Sequence, residues 1–445
     1  MNDERHIERK LKLVHIITLG LAYMAPFAVF DTFGIASNIS SGHVPFAYVF
    51  VFLAILLTAL SYGKLVKKYP SSGSVYAYTR NIINPYVGVL VGWLSFIAYL
   101  SLPMINALLA KIFISSLLPQ IPGWTWIVGL VVLITLLNIF GIEFAAALNI
   151  GLVFVQILVG IVFITLTVHD INSGTGHFMS LNELMPKLHE LSGFFGASAL
   201  LGMSFIGFDA VTTLAEDTVN PKETIPKGIF FITIIGGVFF FTVTYFMQSL
   251  IPNVSILKNI QGASPEIATI IGGKAYLIFF ILGGMFSVFA SGLAAQISAS
   301  RLLYAMGRDN VIPKRYFGYL NKKTKTPVFN IIITGILALC ALFLNLEQAT
   351  SLVNVGAFTA FLVVNICVVK NYFTLDNKSN IYYIVTELIF PGLGLIFILY
   401  LWLNLNKFAI VIGVIWFIIG IIYLMITTRC LTKEPVDIAF EELED

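Results

Sequence analysis

The sequence predicts an all-α integral membrane protein of twelve transmembrane helices, arranged as an inverted 5+5 repeat with helices 1 and 6 broken. Three observations predict it. The 445 residues are 58% hydrophobic and 11% charged, against about 25% charged in a soluble domain, so lipid must cover most of the apolar surface. Twelve apolar runs each supply the roughly 20 residues that cross a bilayer as helix. The first and sixth runs are interrupted midway and then carry an aspartate; lying five apart, they run in opposite directions, the pattern of discontinuous helices in an inverted repeat.

In chain order, spans 1 to 6 are expected at about 13–39, 45–66, 86–117, 123–141, 144–169 and 191–215. Spans 7 to 12 follow at about 227–251, 274–306, 327–345, 349–370, 382–403 and 407–428. One transporter domain, 13–428, thus holds repeat one (about 13–169), repeat two (about 191–370) and two further helices (about 382–428). Spans 3 and 8 are long enough to tilt or to extend past the lipid. Residues 1–12 and 429–445 read as solvated tails, the second rich in acid (Glu434, Asp437, Glu441, Glu442). No small-residue cleavage site follows the first apolar run, so span 1 is expected to be retained and not removed as a signal peptide.

An even number of spans puts both termini on one side, and the basic residues say which. With the N-terminus cytoplasmic, inner segments carry 21 of the 26 Lys and Arg, including Lys64, Lys67, Lys68 and Arg80 between spans 2 and 3. The outer side keeps five: Lys111, Lys187, Lys258, Lys274 and Lys407. The longest loops, about 170–190, 252–273 and 307–326, are too short for a soluble core. Cys340, Cys367 and Cys430 fit neither a disulfide framework nor a metal-ligand spacing. His6, His15 and His43 are too dispersed for a metal site. No phosphate loop or nucleophile triad is visible at membrane depth, which excludes the common enzyme classes.

The breaks carry the functional reading. Pro26, within Met24-Ala25-Pro26-Phe27, lacks an N–H and clashes with the preceding turn, so span 1 must kink or open there. Gly202 and Gly207 flank Ser204-Phe205-Ile206 and permit the same opening in span 6. Asp31 and Asp209 follow these breaks. A carboxylate at the bilayer centre costs about 2.5–3.5 kcal/mol on insertion scales, which makes each a functional candidate. The spans hold no lysine or arginine at comparable depth to neutralise them. Tyr99 and Asn106 share a face of span 3, and Tyr99 could offer an aromatic face to an ammonium. Phe205 and Phe358 are candidate gates; Ser287 and Ser291 read as helix packing, and Glu387 as structural or interfacial.

Several stretches resemble the amino acid–polyamine–organocation transporter superfamily, and within it the putrescine importers. They include Gly20-Leu21-Ala22-Tyr23, Phe30-Asp31-Thr32-Phe33-Gly34-Ile35, Ser61-Tyr62-Gly63-Lys64, Leu102-Pro103-Met104-Ile105-Asn106 and Phe208-Asp209-Ala210-Val211-Thr212-Thr213. The superfamily's cytoplasmic signatures are Glu216-Asp217 with Asn220-Pro221, and Arg301-Leu302-Leu303-Tyr304 through Gly307-Arg308-Asp309. The resemblance covers nearly the whole chain. It implies a LeuT-like fold in a cell membrane, with no cofactor and no nucleic-acid partner.

The departures are informative. Amino-acid members carry a Gly-rich break in span 1 whose N–H groups hold the substrate carboxylate; here it reads Ala25-Pro26-Phe27, with Asp31 one turn on. A cargo with ammonium groups and no carboxylate fits better. The expected substrate is therefore putrescine or a similar small diamine, bridged between Asp31 and Asp209 and bordered by Ala25, Pro26, Phe27, Ser204, Phe205, Ile206, Gly207, Tyr99, Asn106 and Phe358. An amino-acid or other amine permease, or an exchanger, is the alternative within the superfamily. The resemblance implies import driven by the proton-motive force. Some relatives couple to protons through a span 5 lysine, and the aligned residue here is Gln156, which does not titrate. Asp31 and Asp209, titrating together, are the substitute candidates; uptake driven by the membrane potential alone stays open.

Overall fold

In lipid every backbone polar group must be satisfied within the segment, so apolar runs of this length fold as helices. The computed structural model describes residues 11–69, 74–140, 145–215, 218–308, 312–321, 326–374 and 380–432. Most of both expected tails lies outside these, as do Glu216, Asp217, Asp309, Lys322, Lys323, Lys325 and Lys378. Among the described residues, eleven helices are long and apolar enough to cross a membrane.

Most expected boundaries hold within a few residues. Span 2 is Val44–Lys68, span 3 Pro85–Leu117, span 5 Ala145–Asn172, span 7 Pro221–Leu250, span 10 Leu346–Tyr372 and span 12 Lys407–Thr427. Span 8 begins where helix resumes after Gly273, whose positive φ of 62° kinks the run Ala263–Arg308. Span 11 starts as a helical turn at Ile381–Tyr383, passes through a π-turn at Ile384–Ile389 and continues as Phe390–Leu403.

Span 9 differs. It is helical over Val328–Ala338 and tightens to a 3-10 turn over Leu339–Leu342. That gives roughly 25 Å of rise against a hydrocarbon core of about 30 Å. Its expected last residues are claimed by the next helix: the Asn345 side chain accepts the Gln348 amide at 2.8 Å and caps span 10.

Both anticipated breaks are present. Span 1 runs Leu13–Met24, turns at Ala25–Phe27, and resumes as Ala28–Asp31 and Phe33–Ser40. Span 6 is α-helical over Leu191–Leu201, 3-10 over Gly202–Phe205 and again over Ala210–Leu214.

The helices pack in a definite set of pairs. Span 2 lies along span 7, and span 3 lies against both span 8 and span 10. Span 5 packs on span 8, span 4 on span 3, and span 9 on span 8. The first half of span 1 packs on span 7, and the first half of span 6 on span 2. A short helix, Ser74–Ile82, sits between spans 2 and 3 and rests on spans 3 and 10.

Candidate functional site

At the span 1 break, Ala25 takes a left-handed conformation (φ 47°) and its N–H bonds the Ala22 carbonyl at 3.2 Å. Pro26 has no N–H to place. Phe27 donates its N–H to Gln156 Oε1 at 3.1 Å, and Ser287 donates to the same oxygen at 3.3 Å. The Ala28 N–H returns to the Ala25 carbonyl at 2.8 Å. Every amide of the break is thereby engaged. The Phe27 ring points away into a buried cluster with Phe30, Phe113 and Phe280.

The span 6 break is built by different chemistry. Asn354, on span 10, donates to the carbonyls of Ala199 and Leu200 at 2.8 and 3.0 Å, where the α-helix ends. Ile206 is extended and Gly207 has φ 114°. A Cβ at Gly207 would stand 2.7 Å from the Tyr23 backbone, so the two breaks meet through this glycine. Ser204 shares a 2.8 Å hydrogen bond with the Tyr48 hydroxyl of span 2.

Asp31 ends the short helix Ala28–Asp31, and its Oδ1 is buried with no hydrogen-bond partner among the described residues. Tyr48 lies within electrostatic reach of it. Asp209 receives the Tyr62 hydroxyl at 3.3 Å on Oδ2, and the backbone amides of Gly207 and Ala210 face its carboxylate. Tyr99 stands within electrostatic reach of Asp209 and is 39% exposed; Tyr23 is 46% exposed. Among the described residues, no lysine or arginine pairs with either aspartate. Lys64 is already committed to Glu387 Oε1 at 2.7 Å and the Thr386 carbonyl at 2.6 Å.

Some sequence candidates fall outside this grouping. Asn106 is buried and its amide donates to Leu102 and to Ser291 of span 8, so it joins two helices instead of meeting Asp209. Ser287 and Ser291, expected only to pack, each hold a hydrogen bond. Phe205 packs among Tyr48, Phe52 and Phe240, and Phe358 sits against Gly202 and Phe361. Sequence reasoning missed Tyr48, Tyr62, Tyr78 and Asn354. Tyr62 lies in a stretch that carries the resemblance, but nothing in its spacing marks it.

The two ends of the site differ. On the Asp31 side the two helix halves meet backbone to backbone, where a Cβ on Gly193 would lie 2.2 Å from the Ile39 carbonyl oxygen, and span 1 meets the loop before Ala263, where a Cβ on Gly34 would lie 2.1 Å from the Ile260 carbonyl oxygen. Ser264 also donates to the Phe30 carbonyl at 2.5 Å, and His43 meets Glu190 at 3.2 Å. On the Asp209 side Tyr23 and Tyr99 keep part of their surface exposed. An apolar cavity of about 110 Å³ borders the span 1 break at Met24 and Pro26, against Phe240, and one of about 320 Å³ lies among the loops near His43, His177 and Glu183.

Chemically, two acidic side chains with no lysine or arginine partner among the described residues suit a cation, and the amides of the span 1 break, all bonded, are not offered to an anion. A family model described as amino acid permease matches residues 15–433. A low-affinity putrescine importer of Escherichia coli (strain K12) is 39% identical over 433 residues, 97% of this chain and 96% of its own. A branched-chain amino acid permease of Bacillus subtilis (strain 168) is 26% identical over 455 residues, 96% of this chain and 95% of its own. A cationic amino acid transporter of Arabidopsis thaliana, named as mitochondrial, is 27% identical over 384 residues, 82% of this chain and 62% of its own.

Proposed function

We propose, from the premise that the chain belongs to the amino acid permease family of transporters, that it imports putrescine or a similar small diamine across the cell membrane. The observation that carries the reading is the balance of partners at the breaks. Asp31 keeps a buried carboxylate oxygen with no partner among the described residues, while no amide of Ala25–Ala28 is free to hold a carboxylate. An ammonium about 4 Å from a carboxylate gains roughly 4 kcal/mol at an effective dielectric near 20, which offsets much of the desolvation of both. A diamine supplies two such contacts, one at each aspartate. The putrescine importer at 39% identity supports the same cargo.

The packing supports a LeuT-like inverted repeat of spans 1–5 and 6–10 with spans 11 and 12 outside it. Exchanging span n with span n+5 maps 2·7 and 3·8 onto themselves, 3·10 onto 5·8, and 3·4 onto 8·9. The capping side chains obey the exchange too: Gln156 of span 5 serves the span 1 break, and Asn354 of span 10 serves the span 6 break. With both termini cytoplasmic, the sealed Asp31 side faces outward and the accessible Asp209 side inward. The described conformation is then the inward-facing half of an alternating-access cycle.

The proton-motive force drives the import. At about 100 mV, inside negative, a dication gains roughly 4.6 kcal/mol on entering. Asp31 and Asp209, which no lysine or arginine pairs with among the described residues, are the groups that would carry a proton.

The similarity to a branched-chain amino acid permease favours a second reading, a permease or exchanger for amino acids. Radiolabelled putrescine uptake into proteoliposomes, competed by diamines, triamines and neutral and basic amino acids, separates the two. Diamines should compete best. Stronger competition by a zwitterionic amino acid would overturn the diamine reading.

A further inference from the structure

Phenols gather near the inner aspartate, and one of them has no hydrogen-bond partner among the described residues. Tyr62 and Tyr78 are fully buried, with ring centroids 6.5 Å apart and planes crossed at 73°. Tyr62 donates its hydroxyl hydrogen to Asp209. Its oxygen lone pairs remain as acceptors. Tyr78 comes from outside the spans, on the short helix Ser74–Ile82. That helix is held in place from below: the Arg80 backbone closes on Gly88 of span 3, where a Cβ would approach to 3.2 Å. The Tyr78 hydroxyl is buried without a hydrogen-bond partner among the described residues. Burial, and then the charge of Asp209, push its phenol above the ordinary value, which puts Tyr78 within electrostatic reach of that carboxylate.

A buried hydroxyl without a partner costs about 1–3 kcal/mol, so the position needs a reason. A primary ammonium has three N–H donors diverging tetrahedrally, and one carboxylate oxygen satisfies only one of them. Tyr62, bonded to Asp209, and Tyr78, whose ring packs on Tyr62, carry phenol oxygens with lone pairs to accept from the other two.

We propose that the Tyr78 hydroxyl accepts a hydrogen bond from the inner ammonium of the bound diamine, and so selects unsubstituted primary amines over N-methylated ones. Tyr78 is a specificity determinant supplied by a loop helix. This rests on the diamine reading above. A trimethylated end keeps the charge that Asp209 attracts but brings no N–H for Tyr78 and collides with its ring.

The test is competitive uptake of radiolabelled putrescine in proteoliposomes, with unlabelled putrescine and its derivative trimethylated at both nitrogens as competitors, for the wild type and Tyr78→Phe. The wild type should prefer putrescine at least tenfold. Tyr78→Phe should raise the KM for putrescine about tenfold, leave the maximal rate within about twofold, and narrow the preference by a similar factor. Phe keeps the ring against Tyr62 and removes an unpaired group, so its melting temperature should match or exceed that of the wild type. Unchanged KM and preference in Tyr78→Phe would overturn the proposal while leaving diamine transport intact. A wild type that takes up putrescine without preferring it to the trimethyl derivative would also overturn it, with no variant needed. Absence of putrescine uptake in the wild type would overturn the diamine reading itself.

Discussion

Gln156 Oε1 accepts the N–H of Phe27 at 3.1 Å, joining span 5 to the opened turn of span 1 across 129 residues of sequence. The break survives in lipid because a neighbouring helix supplies what the helix interior cannot. Removing that acceptor leaves a buried amide unpaired, at a cost of about 1–3 kcal/mol. Gln156→Leu should therefore lower the melting temperature in detergent, while Gln156→Glu, which keeps the acceptor, should lower it less. Equal stability of wild type and Gln156→Leu would show that the break needs no such support.

Asp31→Asn and Asp209→Asn keep side-chain volume and remove charge. Each should reduce putrescine uptake at least tenfold, a loss of about 1.4 kcal/mol or more of binding. The double variant should bring uptake to background. Radiolabelled uptake at fixed membrane potential measures this, with expression checked in parallel. Near-normal uptake in both single variants would eliminate the bridging arrangement.

The seal on the Asp31 side depends on two glycines with no room for a side chain. Gly193→Ala and Gly34→Ala push a methyl into a backbone carbonyl, and overpacking of this kind costs about 1–3 kcal/mol. In the proposed inward-facing state the closed outer side loses that stability; the opened one does not. Uptake should fall severalfold, and a cysteine placed at Ser37 should react faster with an impermeant thiol reagent added outside. Unaltered labelling would mean that the glycines do not control closure.

Lys64 and Glu387 tie span 2 to the π-turn of span 11 at 2.7 Å. Their side chains are 24% and 15% exposed, so solvent screens the pair only in part. Lys64→Ala strands the carboxylate and should destabilise the protein by about 1–3 kcal/mol, below the 3–5 kcal/mol of a fully buried pair. The exchanged double variant, Lys64→Glu with Glu387→Lys, should recover part of the loss in a thermal melt. No recovery would mean that the Thr386 carbonyl, and not the carboxylate, holds the lysine.

The sequence by itself determined the membrane class, the helix positions and the two breaks. These depend on local quantities: the hydropathy of about 20 consecutive residues, a proline that forbids a hydrogen bond, a glycine free to take positive φ. It also marked Asp31 and Asp209, because an acid in an apolar run is conspicuous without knowledge of its neighbours. It overestimated span 9, since the cap at Asn345 belongs to the following helix and competes for the same residues. It grouped Asn106 with Tyr99 by helical spacing, although Asn106 turns to Ser291. Only the tertiary structure decided which side chains complete the breaks and enclose the carboxylates. Gln156 with Phe27, Asn354 with Ala199 and Tyr62 with Asp209 are separated by 129, 155 and 147 residues. A hydrogen bond is settled within about 3 Å, and no periodicity along the chain reports which distant helix comes that close.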